Sequence, residues 1–426
     1  MASADGERKY DLIVFGASGF TGQFVVEELA RIEEEESEMR WAIAGRSQDK
    51  LDAVLQEVAY TTGKKLKNVE VVIANVNDNQ SMDAMCQQAK VLLNCVGPYR
   101  FYGEQVVRAC VENGCHHLDI SGEPQFLEGI QLNYNQKAKE AKVYVVGACG
   151  FDSIPADMGV CYTKKEFPGV LNTIEGYLSG DSGPEGSAGH FATWQSAIHG
   201  FANAGELIKL RKQFKHQPMP KFEPRLQKRG AVFFSNERQR WSMVFPGADS
   251  SVVRRSQRYI YENQEERPAQ FGAYVTTSSF FSLVQLIFLG FIFSTLAKFG
   301  FGRSLLEKFP RFFSCGFFSH EGPTRKQMEG TTFTWNFYSE GFSDKDKTKP
   351  DVRMATQVTG PEPGYIATPI AIVQAALVVL NEPDKLPQGG GVFSPGAIFN
   401  KTSLVDRLNQ HGIKFTITSA AQPITA

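Results

Sequence analysis

Seven residues, Gly16-Ala17-Ser18-Gly19-Phe20-Thr21-Gly22, stand between a short apolar run, Tyr10–Phe15, and a stretch of helical spacing over 21–31. Glycines at three-residue intervals let the backbone turn sharply and approach a bulky anion. A helix opening there adds free N–H groups and a partial positive charge. Gly16, Ser18, Gly19, Phe20, Thr21 and Gly22 are therefore the candidate pyrophosphate cradle for a dinucleotide. The spacing Gly-x-x-Gly-x-x-Gly departs from the simplest fingerprint; its weight comes from its place between strand and helix.

The second strand, expected over 41–44, ends in Ala44-Gly45-Arg46-Ser47. Enzymes that use NAD place an acid at this strand end, about 20 residues on, to bind the ribose hydroxyls. Here the position holds Arg46, 46 − 22 = 24 residues past Gly22. A guanidinium there suits a 2′-phosphate, so the expected cofactor is NADP in preference to NAD. Ser47 adjoins it, and Asn75, ending a third strand, is placed to contact the adenine.

Further polar residues fall at later strand ends. Asn94 and Gly97 end the fourth, with Gly97 allowing close approach to the nicotinamide ribose and Tyr99 facing the reacting carbon. Asp119, Ser121, Gly122 and Glu123 end the fifth, and Asp152 follows the sixth. Hydride transfer needs orientation plus a proton donor; Tyr99 and Asp152 are the candidate catalytic residues. Asp152 has a second reading, as cap of a helix starting near Ile154. Tyr60 and Lys64 have the Tyr-x-x-x-Lys spacing of short-chain reductases, but Gly63 and a position after the second helix mark it as chance. Cys110, Cys115, His116 and His117 do not make a zinc site, because Cys110 belongs to a helix and His117 to a buried strand. No Gly-x-Ser-x-Gly elbow is present.

The elements that must position these residues alternate. Apolar strand-like runs at 10–15, 41–44, 69–74, 91–96, 117–120 and 143–146 are separated by helical stretches, the signature of a parallel sheet covered on both faces. Past residue 150 the pattern changes: strand-like 171–179, helical 191–204, a proline-containing stretch, helical 251–262, then alternating segments at 331–338 and 352–358. The expected fold class is α/β, a doubly wound Rossmann sheet over 1–150 plus a second α+β domain with an antiparallel sheet over 151–267 and 321–360. Residues 361–426 should pack back on the core. With 45 basic and 46 acidic residues the net charge is −1, which argues against a nucleic-acid binder. Seven scattered cysteines fit reduced thiols in a reducing compartment.

Taken together, the motifs GASGFTG, AGRSQDKL, NCVGPYRFYGE, DISGEPQF, GFDSIPAD and GGGVFSPGAIF resemble the saccharopine dehydrogenase-like oxidoreductases of animals, over nearly the whole chain. More distantly they are similar to bacterial trans-acting enoyl reductases and to true saccharopine reductases, whose substrate residues find no match here. The resemblance implies a Rossmann domain, a second domain with an antiparallel sheet, a reductase activity, and association with lipid droplets or other membranes.

Residues 268–297 contain no charged side chain, and FFSLVQLIFLGFIFSTLA within them is apolar on all sides. About 20 apolar residues can span a bilayer. Basic residues (Lys298, Arg303, Lys308, Arg311) interleaved with phenylalanines follow, as suits a headgroup zone. Upstream, 209–229 holds eight basic residues and one acid, Glu223. A full crossing would separate folded parts that should pack together. The insert, 268–320, is therefore expected as a monotopic hairpin with its tip near Gly290, or as an in-plane helix. The alternative is a helix pair buried in a homodimer interface. The expected setting is intracellular, at a membrane or lipid-droplet surface, with the folded domains facing the cytosol. The expected substrate is an apolar small molecule or a lipid. A non-enzymatic droplet or membrane protein that retains the dinucleotide fold is the rival reading.

Overall fold

The computed structural model describes residues 8–277 and 279–424. Strands β1 (Tyr10–Phe15), β2 (Trp41–Gly45), β3 (Glu70–Ile73), β4 (Ala89–Asn94), β5 (His116–Asp119) and β6 (Tyr144–Val146) lie parallel in one sheet. Their apolar runs are buried because helices cover both faces; Leu12, Ile13 and Val14 of β1 have no exposure at all.

The second sheet begins with β7 (Val170–Asp181). A short strand β8 (Gly189–His190) leaves it, and β9 (Val232–Ser235), β10 (Arg240–Val244) and β11 (Gln270–Thr277) rejoin it. Strand β12 (Phe318–Ser319) pairs only with β8. Strands β13 (Thr332–Phe342) and β14 (Val352–Pro361) follow, then β15 (Gly391–Phe393) and β16 (Lys414–Pro423). The second sheet runs β16-β14-β13-β7-β11-β10-β9. It is antiparallel except where β11 pairs parallel to β7, since the intervening helices carry the chain back to the same end.

Strand β15 does not join this second sheet. It pairs parallel to β6 and completes the first, whose order is β15-β6-β5-β4-β1-β2-β3. The order reverses between β1 and β4, and ligands of such sheets bind at that reversal, beyond the carboxyl ends of the strands. The C-terminal residues thus contribute to both sheets. Between their two strands and β14 runs the helix Thr368–Asn381, buried from Thr368 through Val379 against the helix Phe20–Arg31.

Among the described residues two helices are long and apolar enough to cross a membrane. One is this core helix together with the helical turn before it, Pro363–Asn381; the other is Phe280–Ala297, of which only 11% is buried. The expected reversal near Gly290 does not occur. Phe280–Ala297 is one uninterrupted helix; the leucine, isoleucine and phenylalanine residues on either side carry a single glycine through at a cost of about 1 kcal/mol. The turn comes at Lys298–Phe299, before the helices Gly300–Lys308 and Pro310–Phe313.

Candidate functional site

The β1 exit makes a close turn. Gly16 has φ +84, and the Gly19 N–H donates to the Gly16 carbonyl at 2.9 Å. A Cβ on Gly22 would stand 2.2 Å from that same carbonyl oxygen, so only glycine lets the helix start so close to the turn. Helix Phe20–Arg31 opens at Gly19 with no side-chain cap. Its first N–H groups therefore point out of the loop, where an anion is stabilised. Ser18 and Gly19 are exposed, and Thr21 lines a large cavity. The side chain of Phe20 faces elsewhere. It stacks on His190 at 4.3 Å and meets Tyr365 edge-on at 4.8 Å, so only its backbone faces the loop's open side.

Arg46 is exposed beyond β2, and its guanidinium makes no hydrogen bond or ion pair with any described residue. A free guanidinium at this strand end is what a 2′-phosphate requires. Ser47 begins the helix Gln48–Thr62 without using its hydroxyl as a cap. Asn75 is partly engaged, its Oδ1 accepting from the Asn77 N–H at 3.1 Å. Asn94 departs from expectation: it is fully buried, its Oδ1 takes the Val96 N–H at 3.0 Å, and its Nδ2 lies 3.3 Å from His117 Nε2. It shapes the β4 exit and presents no side chain to the crevice.

Gly97 and the ring of Tyr99 line the cavity, but the Tyr99 hydroxyl donates to the Asn94 carbonyl at 2.7 Å and is almost wholly buried. Burial pushes its pKa well up. Tyr99 therefore ties the ends of β4 and β5 instead of presenting an acid. Asp119 accepts from the N–H groups of Ser121 (2.9 Å) and Ala148 (3.2 Å) and lies in the interior, its pKa raised by burial to about 7.

Asp152 does line the cavity. The helix that follows is capped at Ser153, not by Asp152. Its carboxyl sits over Gly122, where an added Cβ would be 2.9 Å from Oδ2, and burial raises its pKa to about 6. Asp249, fully buried at the start of the helix Asp249–Gln264, has its own pKa raised by burial and then by Asp152. Asp249 had no mark in the sequence, because residues 97 positions apart meet only through the tertiary fold. Tyr60 and Lys64 play no part: Tyr60 is exposed and Lys64 pairs with Glu34.

The cavity holds about 1100 Å³ between the two sheets. One end is made by Thr21, Cys95, Gly97 and Asp152 at the sheet reversal; the other by Phe201, Phe317 and Phe318. Glu123 links the ends. It accepts from the backbone N–H groups of Tyr99 (2.9 Å) and Arg100 (3.1 Å) and from the Ser196 hydroxyl (3.0 Å).

A glycine loop at the reversal of a doubly wound sheet, an uncapped helix start and a free arginine at the second strand end define a Rossmann-type oxidoreductase that takes NADP. The comparisons agree. Residues 12–146 match the saccharopine dehydrogenase NADP binding domain. A human saccharopine dehydrogenase-like oxidoreductase is 50% identical over 427 residues, covering 98% of this chain and all of its own. The chain belongs to the saccharopine dehydrogenase-like oxidoreductases. A Caenorhabditis elegans relative described as a lipid droplet localized protein is 38% identical, covering 96% of this chain and 99% of its own. In fold, the chain is similar to the apo saccharopine dehydrogenase (L-Glu forming) of Saccharomyces cerevisiae, at TM-score 0.55 and 12% identity over 98% of this chain and 100% of that one.

Proposed function

We propose that this protein is an NADP(H)-dependent reductase whose substrate is apolar and comes from a lipid phase. The protein sits at an intracellular membrane or lipid-droplet surface with its folded domains on the cytosolic side. The observation behind this reading is a large cavity that begins at the nucleotide loop and ends among phenylalanines beside an exposed apolar helix. The N–H groups opening the Phe20–Arg31 helix, with Gly16, Ser18, Gly19, Thr21 and Gly22, would hold the pyrophosphate. Arg46 and Ser47 would hold the 2′-phosphate, and Asn75 would border the adenine. Gly97 leaves room at the nicotinamide ribose. The bound nicotinamide supplies a hydride. Asp152, its pKa raised by burial to about 6, gives a proton to the reduced substrate from its place over Gly122 when it starts protonated.

The phenylalanine helix Phe280–Ala297 supports the lipid-surface part. Phe281, Phe288 and Phe291 are 84%, 61% and 69% exposed, and apolar surface of this extent needs a cover. Lys298, Lys308 and Arg311 nearby suit anionic headgroups. The C. elegans relative's description agrees with this location.

The test is isotopic. The full chain on phospholipid-coated triacylglycerol droplets is given deuterated NADPH and extracted cellular lipids, and products are read by mass spectrometry. Deuterium in an apolar lipid is expected. Label that enters only water-soluble compounds would overturn the lipid-phase reading. A second reading, a cofactor-responsive surface protein without turnover, draws on the Tyr99 hydroxyl being spent on Asn94; label in no product at all would favour it.

A further inference from the structure

The helix Phe191–Ala202 stands between the cavity and the exposed apolar helix Phe280–Ala297, and its two faces differ. Trp194, Ile198 and Phe201, at i, i+4 and i+7, form the outer face. Trp194 meets Phe293 of the exposed helix at 4.7 Å and Phe201 meets it at 5.4 Å, both edge-on. Trp194 also donates its indole N–H to the Leu306 carbonyl at 2.9 Å, which fixes the partition to the next helix of the insert. The inner face is Thr193, Ser196, Ala197 and Gly200, all lining the cavity. These are small residues, and a Cβ added at Gly200 would meet nothing within 4 Å. The inner face thus leaves an open arm.

Phe201 and Phe317 line that arm and are also 45% and 42% exposed, so the cavity reaches the surface there between apolar side chains. Phe317 lies four residues past the end of the Pro310–Phe313 helix of the insert, whose Phe312 is itself exposed. The surface that calls for a lipid cover and the mouth of the arm are therefore neighbours, joined through Phe201 and Phe293. Typical small-ligand sites have about 300–1,000 Å³; this cavity, at about 1100 Å³, has room beyond the reacting end of a dinucleotide.

Resting on the lipid-phase reading above, we infer that the arm along Thr193, Ser196, Ala197 and Gly200 is an acyl-chain tunnel. Its mouth, between Phe201 and Phe317, opens into the lipid that the Phe280–Ala297 helix contacts, so a long-chain lipid enters sideways from the lipid phase without crossing water. The chain lies along the small-residue face, and its polar end reaches Asp152 and Gly97. Removing a long alkyl chain from lipid into water is unfavourable for every CH₂ exposed, and a lateral mouth avoids that cost. The far end of the partition is held to the nucleotide domain by Arg100, which donates to the His199 carbonyl at 2.7 Å, and by Gln125, which donates to the Gly200 carbonyl at 3.2 Å. The tunnel floor is thus registered against the reacting end.

The experiment uses the full chain on phosphatidylcholine vesicles containing a pyrene-tipped acylglycerol. Uptake is read as energy transfer from protein tryptophan to pyrene, with the pyrene shielded from aqueous iodide. NADPH binding and vesicle flotation are measured on the same samples. The unaltered protein should take up the probe. Gly200→Leu and Gly200→Phe, at a position where an added Cβ meets nothing within 4 Å, fill the arm away from the glycine loop and should cut uptake at least tenfold with flotation and NADPH binding unchanged. Uptake that persists in both filled variants overturns the tunnel, as does absence of uptake by an unaltered protein that floats and binds NADPH. Failure of the unaltered protein to float or to bind NADPH would instead overturn the lipid-surface reductase reading itself.

Discussion

The Ser196 hydroxyl donates to Glu123 Oε1 at 3.0 Å, while the same carboxylate oxygen accepts the Tyr99 N–H at 2.9 Å. One side chain therefore fastens the helix beside the apolar insert to the strand end beside the nucleotide loop. Glu123 is almost fully buried, so losing either partner would leave part of its carboxylate unsatisfied. The relation couples the nucleotide crevice to the helix that packs against the exposed apolar insert.

Arg46 should decide between cofactors. A hydrogen bond to a charged group is worth about 1.5–3 kcal/mol, or roughly tenfold to a hundredfold in affinity. NADPH should therefore bind the unaltered protein that much more tightly than NADH, and Arg46→Ala should bring the two together. Calorimetric titration of both cofactors into both proteins measures it; equal affinities before mutation would show that Arg46 has no such role.

Gly19 and Gly22 should not respond alike. A Cβ on Gly19 lies 3.1 Å from the Gly16 carbonyl oxygen, whereas one on Gly22 lies at 2.2 Å. Gly19→Val should leave the sheet folded and abolish dinucleotide binding by obstructing the approach. Gly22→Ala should also lower stability, by about 1–3 kcal/mol as overpacking does. Denaturant melts alongside fluorescence titration separate the two effects, and unchanged NADPH binding by folded Gly19→Val would make the loop a structural turn only.

Asp152 should set a pH limit on reduction. Its pKa is raised by burial from the ordinary 3.8 to about 6, so it is protonated below that value and ionised above. As a proton donor it must start protonated, so kcat/KM for reduction should fall as pH rises through about 6. Asp152→Asn should slow turnover about 10²–10⁴-fold and flatten the profile. The same raised pKa makes a stability statement: the folded state holds the proton more tightly than the unfolded one, so this group's contribution is full below about 3.8 and is lost as pH climbs to about 6. A profile identical in the variant would remove Asp152 from the reaction.

The insert can be tested without cutting the chain. Phe281, Phe288 and Phe291 are exposed on the Phe280–Ala297 helix, while Leu283, Phe293 and Ala297 are buried against the body. Replacing the three exposed phenylalanines by glutamate should end flotation with lipid vesicles and leave NADPH binding intact. High salt alone should not detach the unaltered protein, because salt screens only the basic flanks. Sedimentation closes the remaining option: a stable dimer of the unaltered protein that the glutamates split, with no lipid binding before or after, would assign this face to a second copy.

The parts of this design that were legible in the sequence are those set by near neighbours. The glycine loop, Arg46 and the alternation of strands and helices depend on residues within one turn or one strand. The insert was legible as apolar but not in shape: Gly290 suggested a reversal, yet a lone glycine does not stop a helix whose neighbours favour one. The position of Asn94 and Tyr99 at and just past a strand end points them to the crevice; the fold turns both inward, where each satisfies a backbone group. Asp249 and Ser196 reach the site from distant segments, and nothing in their local sequence announces it. The first sheet's seventh strand was equally hidden, since GGGVFSPGAIF looks like a loop until β15 is seen beside β6.

That strand has a consequence for how the chain assembles. Gly391 pairs with Tyr144, so β6 lacks its outer neighbour until nearly the whole polypeptide has left the ribosome. Contacts of such long range form late and slowly, and the unpaired β6 edge is open to wrong partners meanwhile. The phenylalanine helix at 280–297 is synthesised well before residue 391. The hydrophobic helix therefore emerges while the first sheet is still unfinished, and the order of synthesis exposes its apolar face before the nucleotide-binding sheet is complete.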